Sequence, residues 1–266
     1  MLSLDHTGTI VRDLAAGAAR WEALGFTLSP VSRQRGAVPG EAGMQPWASA
    51  NRCAVFERGY LELIGLVDPA AFNPWAKFLA RFEGMHLLAL RCAHADDAWE
   101  LLAPKAGFLA PPVARERPLL VDGAPRVMRF RNLFSRDEAC PEGRWIVIEH
   151  QTPDYLWQPA LMRHENGARA LEEALVVADD PAVAARAAAL EGIARVESPA
   201  AFAARFGWAP PAPAFAAVTV SFTDVVAAAR LMETRGIAVQ RRGDDLWVGP
   251  ASTGGFVLRM VPHASA

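Results

Sequence analysis

The residues able to do chemistry in this chain are few, and none forms a stand-alone signature. Three cysteines, Cys53, Cys92 and Cys140, match neither a zinc knuckle nor a CxxC redox pair. No GxxxxGK(S/T), GxGxxG or GxSxG occurs, which removes P-loop, dinucleotide-binding and nucleophile-elbow chemistry. The Gly254-Gly255 pair reads as a hairpin turn between strands. Six histidines remain. His94, His164 and His263 fall in helix-start, loop and tail contexts and carry no role. His6, His86 and His150 lie in apolar, strand-like runs: "LDHTGTIV", "GMHLLAL" and "RWIVIEH". Glutamates share such runs, Glu62 in "GYLELIG" and Glu149 beside His150. Imidazoles and carboxylates together make a borderline N/O donor set suited to Zn²⁺, Ni²⁺, Co²⁺, Mn²⁺ or Fe²⁺.

The elements that must position these groups repeat along the chain. A short apolar strand, an Asp, an amphipathic helix, then Gly and a large apolar residue recur four times. The copies begin at Leu4, Met85, Leu171 and Phe215. In three of them Asp and Gly stand twelve positions apart: Asp13 and Gly25, Asp180 and Gly192, Asp224 and Gly236. Each part has a local cause. The Asp suits a helix N-cap, where its carboxylate accepts from unpaired N–H groups. Leu14, Ala18, Trp21 and Leu24 recur at helical spacing. The Gly suits the left-handed residue that ends a helix. Further strand-like runs follow copies one (Phe26–Ser29, Arg52–Phe56, Tyr60–Ile64), two (Val113–Leu120, Arg126–Asn132, Trp145–Glu149) and four. Each of these units therefore reads βαβββ, an α+β arrangement. Copy three is abbreviated and followed by the Pro-rich stretch 209–213.

The chain has 266 residues, a net charge of −2 and 52% hydrophobic residues, ample for a sizeable core. No basic stripe points to nucleic acid. No run of eighteen apolar residues points to a membrane. The N-terminus lacks the pattern of a signal peptide. The expectation is a soluble cytoplasmic protein, monomer or homodimer, whose partner is a small molecule.

These units resemble the vicinal-oxygen-chelate superfamily, which includes glyoxalase I, extradiol dioxygenases and methylmalonyl-CoA epimerase. "ANRCAVFERGYLELIG" and "EHQTPDYLWQPALMRHENGA" look like its glyoxalase-like domain group. The resemblance implies two units pairing into a cup: residues 1–160, with units 1–67 and 84–152, then a degenerate half at 168–263, with a truncated unit 168–208 and a unit 215–263. In the superfamily, ligands to a divalent metal come from the first and last strands of each unit. Carried over, these positions are His6, Glu62, His86 and Glu149, separated by 56 residues (6 to 62) and 63 residues (86 to 149). A Lewis-acidic metal there would hold vicinal oxygens and stabilise an enediolate, with Glu62 or Glu149 as the base. Two carboxylates ~4 Å apart repel by about 4 kcal/mol at an effective dielectric of ~20, so a cation, a shared proton or water between them is expected, and a divalent metal would suffice. Successive strand residues face opposite ways. By register with Glu62, Glu149 should face the cup and His150 the helix layer.

Asn51, Arg52, Arg129 and Arg131 are softer candidates, an Arg being able to hold an anionic substrate group. Trp47 and Trp145 could form apolar walls. In the second half, Glu173 and Ala217 take the His6 position and Leu258 the Glu62 position, so that half reads as silent. The implied function is a glyoxalase-type isomerase or lyase. The alternatives are an extradiol-type dioxygenase and a metal-free protein that sequesters its ligand.

Overall fold

The computed structural model describes residues 1–121 and 123–264. The first unit runs β1 (Ser3–Val11), α1 (Leu14–Ala23), β2 (Ser32–Gly36), β3 (Gln45–Val55) and β4 (Tyr60–Leu66). A short helix, α2 (Ala76–Leu79), leads into the second unit: β5 (Gly84–Arg91), α3 (Ala95–Leu102), β6 (Val113–Val121), β7 (Ala124–Phe134) and β8 (Arg144–His150). These eight strands form one sheet in the order β2-β3-β4-β1-β5-β8-β7-β6, with β1 and β5 antiparallel at its centre. The sheet curls until its edge strands β2 and β6 approach each other, which gives a cup.

The third unit keeps only β9 (Ala168–Val177), α4 (Pro181–Ala189) and the short β10 (Arg195–Glu197), followed by α5 (Pro199–Phe206). The fourth runs β11 (Ala214–Phe222), α6 (Val225–Thr234), β12 (Val239–Arg242), β13 (Asp245–Val248), α7 (Pro250–Thr253) and β14 (Val257–Pro262). The second sheet has the order β10-β9-β11-β14-β13-β12, with β9 and β11 antiparallel as β5 and β1 are in the first. Two local expectations are corrected. Phe26–Ser29 is not a strand, because the second strand of unit one begins only at Ser32. Gly254-Gly255 does not turn a hairpin; it ends α7, where both residues take positive φ.

The repeated Asp does what its position suggests. Asp13, Asp180 and Asp224 cap α1, α4 and α6, each accepting from an amide of the first turn. Gly25, Gly192 and Gly236 follow in the left-handed region. The second copy has His94 at the cap, and its side chain makes no capping bond.

The helix-bearing faces of the two sheets meet in one apolar core. Leu88, Leu90 and Val147 of the first sheet share it with Val176, Val218 and Val220 of the second. Trp145 meets Phe215 edge-on there, ring centroids 5.2 Å apart. The indole of Trp21 donates to the carbonyl of Thr253 at 2.6 Å. Buried Glu142 accepts from Trp145 Nε1 and from Nε and NH2 of Arg186, each at 2.7 Å, which ties α4 to the first sheet. The concave faces of both sheets point away from this core. No helix among the described residues is long and apolar enough to cross a membrane.

Candidate active site

The first cup encloses about 500 Å³, within the range of small-molecule pockets. Its position follows from strand alternation. On β4 Tyr60, Glu62 and Ile64 face it; on β8 Arg144, Ile146 and Ile148 do. A bulge on β1 adds an extra residue. Pairing with β5 passes from Leu4–Leu90 to His6–Ala89 and skips Asp5, so consecutive Asp5 and His6 lie on the same side.

Asp5 is completely buried and takes three donors. His6 Nδ1 lies 2.7 Å from its Oδ1, Arg91 Nε 2.7 Å from its Oδ2, and His150 Nε2 3.1 and 3.2 Å from the two oxygens. Burial alone would raise its pKa. The hydrogen bonds from His150 and His6 outweigh burial and hold the carboxyl well below the usual carboxylate range. An ionised Asp5 can only accept, so His6 Nδ1 carries hydrogen. In the neutral imidazole the lone pair then sits on Nε2, which points toward the cup, 3.9 Å from Glu62 Oε2. Tyr60 stacks on His6, centroids 4.3 Å apart. Burial, with Asp5 and Glu62 nearby, pushes the Tyr60 phenol well above its ordinary pKa, so it remains a proton donor.

Glu62 is also fixed. Asn51 donates to its Oε1, and Arg117 NH2 of β6 lies 3.4 Å from the same atom. The counter-charge beside Glu62 is a guanidinium of the protein itself.

The four residues implied as ligands do not converge. Only His6 and Glu62 meet. The pairing of β1 with β5 passes from Gly8–Leu87 to Thr9–Met85, so His86 sits in a second bulge. Its ring packs against Phe78 and Phe82, and its Nε2 is 3.0 Å from the Phe82 carbonyl. Burial lowers its pKa to about 4. Glu149 has the opposite parity from the cup-facing residues of β8. It reaches the helix layer, where its carboxylate accepts from the Ala95 amide at 2.8 Å. The expected orientation of Glu149 and His150 is thus reversed. Copy two lacks the capping Asp, and Glu149 supplies the carboxylate that His94 does not.

A divalent metal fits this donor set poorly. His6 Nε2 and one oxygen of Glu62 are the available donors, and Asn51 and Arg117 engage the other oxygen. A dication ~5 Å from the guanidinium would meet a repulsion of about 7 kcal/mol at an effective dielectric of ~20. Among the described residues, no group of three or more His, Cys, Asp or Glu is arranged to hold a metal.

The softer candidates divide. Asn51 and Trp47 belong to the cup, Asn51 through its bond to Glu62. Arg52 turns to Glu22 and the Ser29 carbonyl, Arg129 pairs with Glu116, and Arg131 pairs with Asp96. Trp145 belongs to the inter-sheet core. In the second sheet Arg259, not Leu258, holds the register of Glu62, since Thr219–Arg259 matches Gly8–Glu62. Asp5, Arg117 and His150 escape a reading based on the repeat. The adjacency of Asp5 and His6 was visible, but only a bulge gives it meaning. The three cysteines are buried free thiols, and burial pushes Cys53 far above its ordinary pKa, so none is poised as a nucleophile.

A family model described as a glyoxalase-like domain matches residues 4–192. Among solved structures, a hypothetical protein from Staphylococcus aureus superposes with a TM-score of 0.62 at 11% identity, covering 99% of this chain and 100% of that one. A triple mutant of 4-hydroxymandelate synthase from Streptomyces coelicolor gives 0.60 at 12% identity, covering 99% and 93%. At these identities the likeness establishes the shared fold. No curated protein matches in sequence.

Proposed function

Because the chain belongs to the glyoxalase-like domain family of the vicinal-oxygen-chelate superfamily, we propose that its first cup binds a small carbonyl compound and moves a proton on it without a resident metal. One observation carries this reading: the buried Asp5–His6 pair presents an imidazole lone pair to an enclosed cavity. A carboxylate that fixes the imidazole tautomer and steadies the imidazolium is a recurrent way to build a general base. His6 Nε2 takes the proton from the carbon next to the carbonyl. The C–H electron pair moves into the carbonyl and forms an enolate. Arg117, which lines the same cavity, is the positive charge available to that oxygen, and the Tyr60 phenol faces it as a donor. Return of the proton from Nε2 to an adjacent atom completes an isomerisation.

The iron-dependent ring-cleaving alternative asks for two imidazoles and a carboxylate on one ion. His6 and Glu62 leave the second imidazole unsupplied, because His86 is packed between Phe78 and Phe82 and His150 is engaged by Asp5. Simple sequestration is a second reading, favoured by the apolar side chains that make up much of the wall.

The test is proton exchange in D₂O. Chelator-treated protein is incubated with neutral and anionic carbonyl compounds, and loss of the adjacent C–H signal is followed by NMR. Exchange above background, reduced about 100-fold or more by His6→Ala, is expected. Exchange that appears only after a divalent metal is restored would overturn the metal-independent reading. Binding without exchange would favour sequestration.

A further inference from the structure

The cup has an unbalanced charge at its mouth. Five arginines line it, Arg33 and Arg35 on β2, Arg115 and Arg117 on β6, and Arg144 on β8, against Glu62 and Glu116. Four of these charges are matched locally. Arg117 faces Glu62, Arg144 is paired with Asp137, and Glu116 is engaged by Arg129. Arg33, Arg35 and Arg115 make no ion pair among the described residues: Arg35 donates to the Met44 carbonyl and Arg115 to the Ala114 carbonyl. They stand on the two edge strands that approach across the opening, so three uncompensated cations border one cavity.

The wall between mouth and floor is aromatic, with Trp47 and Trp75 on one side and Phe130 and Phe134 on the other. Asn132 lies between Phe130 and Phe134 on β7 and lines the same wall.

We infer that the cup takes an aromatic organic anion, its charged head among Arg33, Arg35 and Arg115 and its ring along the tryptophan and phenylalanine wall. This inference rests on the small-molecule reading above and names the class of molecule. Guanidinium groups suit carboxylate, sulfonate or phosphate heads because their planar fork matches two oxygens at once. Enclosure makes the site fit a small molecule rather than a polyanion.

The experiment is calorimetric titration of the full chain with 2-naphthyl phosphate, 2-naphthol and inorganic phosphate, at low and at physiological salt. Naphthyl phosphate is expected to bind at least about tenfold more tightly than naphthol and than phosphate alone. Its advantage over naphthol should shrink with salt, because the cations are exposed and screened beyond ~8 Å at physiological ionic strength. The triple variant Arg33→Ser/Arg35→Ser/Arg115→Ser should lose that tenfold advantage and keep its affinity for naphthol, which also reports that the cup is still folded. Equal affinity for naphthyl phosphate and naphthol, unmoved by the triple variant, would overturn the charge assignment and leave a small-molecule cup standing. Phosphate binding as tightly as naphthyl phosphate would overturn the aromatic part. Failure of both naphthyl probes to bind would count against the cup as a small-molecule site altogether.

Discussion

The two sheets share a backbone plan down to its irregularities, yet one holds a cavity and the other a plug. β1 and β11 each skip one residue against their antiparallel partner, at Asp5 and at Ala216. The partners each carry a second bulge, at His86 and at Glu172. The side chains at equivalent places differ in kind. Asp5 and His6 correspond to Ala216 and Ala217, Tyr60 to Val257, and Ala89 to Leu175. Where the second unit sends the hairpin β6–β7 around the cup, the third has none and places α5 over the sheet instead. Phe202 and Phe206 of that helix pack on Ala216, Ala217, Leu175, Val257 and Trp247. A bulge that can aim two polar residues into a cavity works equally well as a bed for two methyl groups. What makes a site in this architecture is therefore the hairpin that leaves the cup open, together with a few polar residues at fixed register.

Emptying the plug should have the largest effect. Phe202→Ala/Phe206→Ala leaves a cavity between α5 and the second sheet and should cost more than about 4 kcal/mol in urea denaturation. Phe130→Ala, bordering a space that is already open, should cost less than half as much. Equal costs would mean that the two cups are filled alike. Next comes Asp5→Asn, which leaves Arg91 without its buried counter-charge and should destabilise by on the order of 3 kcal/mol.

The bulge at His86 predicts a pH effect of similar size. Its folded pKa, about 4, lies below the ordinary histidine value of 6.5, so the unfolded chain binds more protons between the two. Stability should be fully present above pH ~6.5 and fall as the pH drops toward ~4, by on the order of 3 kcal/mol. His86→Phe, which keeps the aromatic packing against Phe78 and Phe82, should flatten that slope in denaturation curves taken across the window. An unchanged slope would place the sensitivity elsewhere. The smallest effect belongs to Glu149→Gln. Losing this cap should cost about 1 kcal/mol and leave naphthyl phosphate affinity untouched, whereas Glu62→Gln should change that affinity by freeing Arg117.

Much of this plan was legible in the residues because it is written in local chemistry. Asp caps, left-handed glycines and helical spacing act within a few residues, so the βαβββ units and the abbreviated third copy could be read directly. His6 and Glu62 could be paired because each sits in a short strand with a clear flank. Parity was harder. His86 and Glu149 look equivalent to His6 and Glu62 by their distance from the start of each unit. A single bulge packs His86 between Phe78 and Phe82, and a different cup-facing phase on β8 sends Glu149 to the helix layer. Arg117 was invisible for a related reason: its link to Glu62 joins β6 to β4, across the opening of the sheet rather than along its hydrogen-bonded order. The content of the second cup depended on a helix standing in for a hairpin, which an Ala-rich sequence does not announce.

The borrowed cap of α3 has a kinetic consequence. α1 is closed by a carboxylate three residues away, whereas α3 waits for one 54 residues later in the chain. The first is available as soon as the helix nucleates; the second arrives only when β8 has docked beside β5. Closing that longer loop carries a larger entropic cost before the contact is made. During refolding, the amides of the first turn of α1 should therefore gain protection ahead of that of Ala95, whose protection should rise together with β8. Glu149→Gln should then slow neither event and mainly speed unfolding, as expected of a contact made after the rate-limiting step.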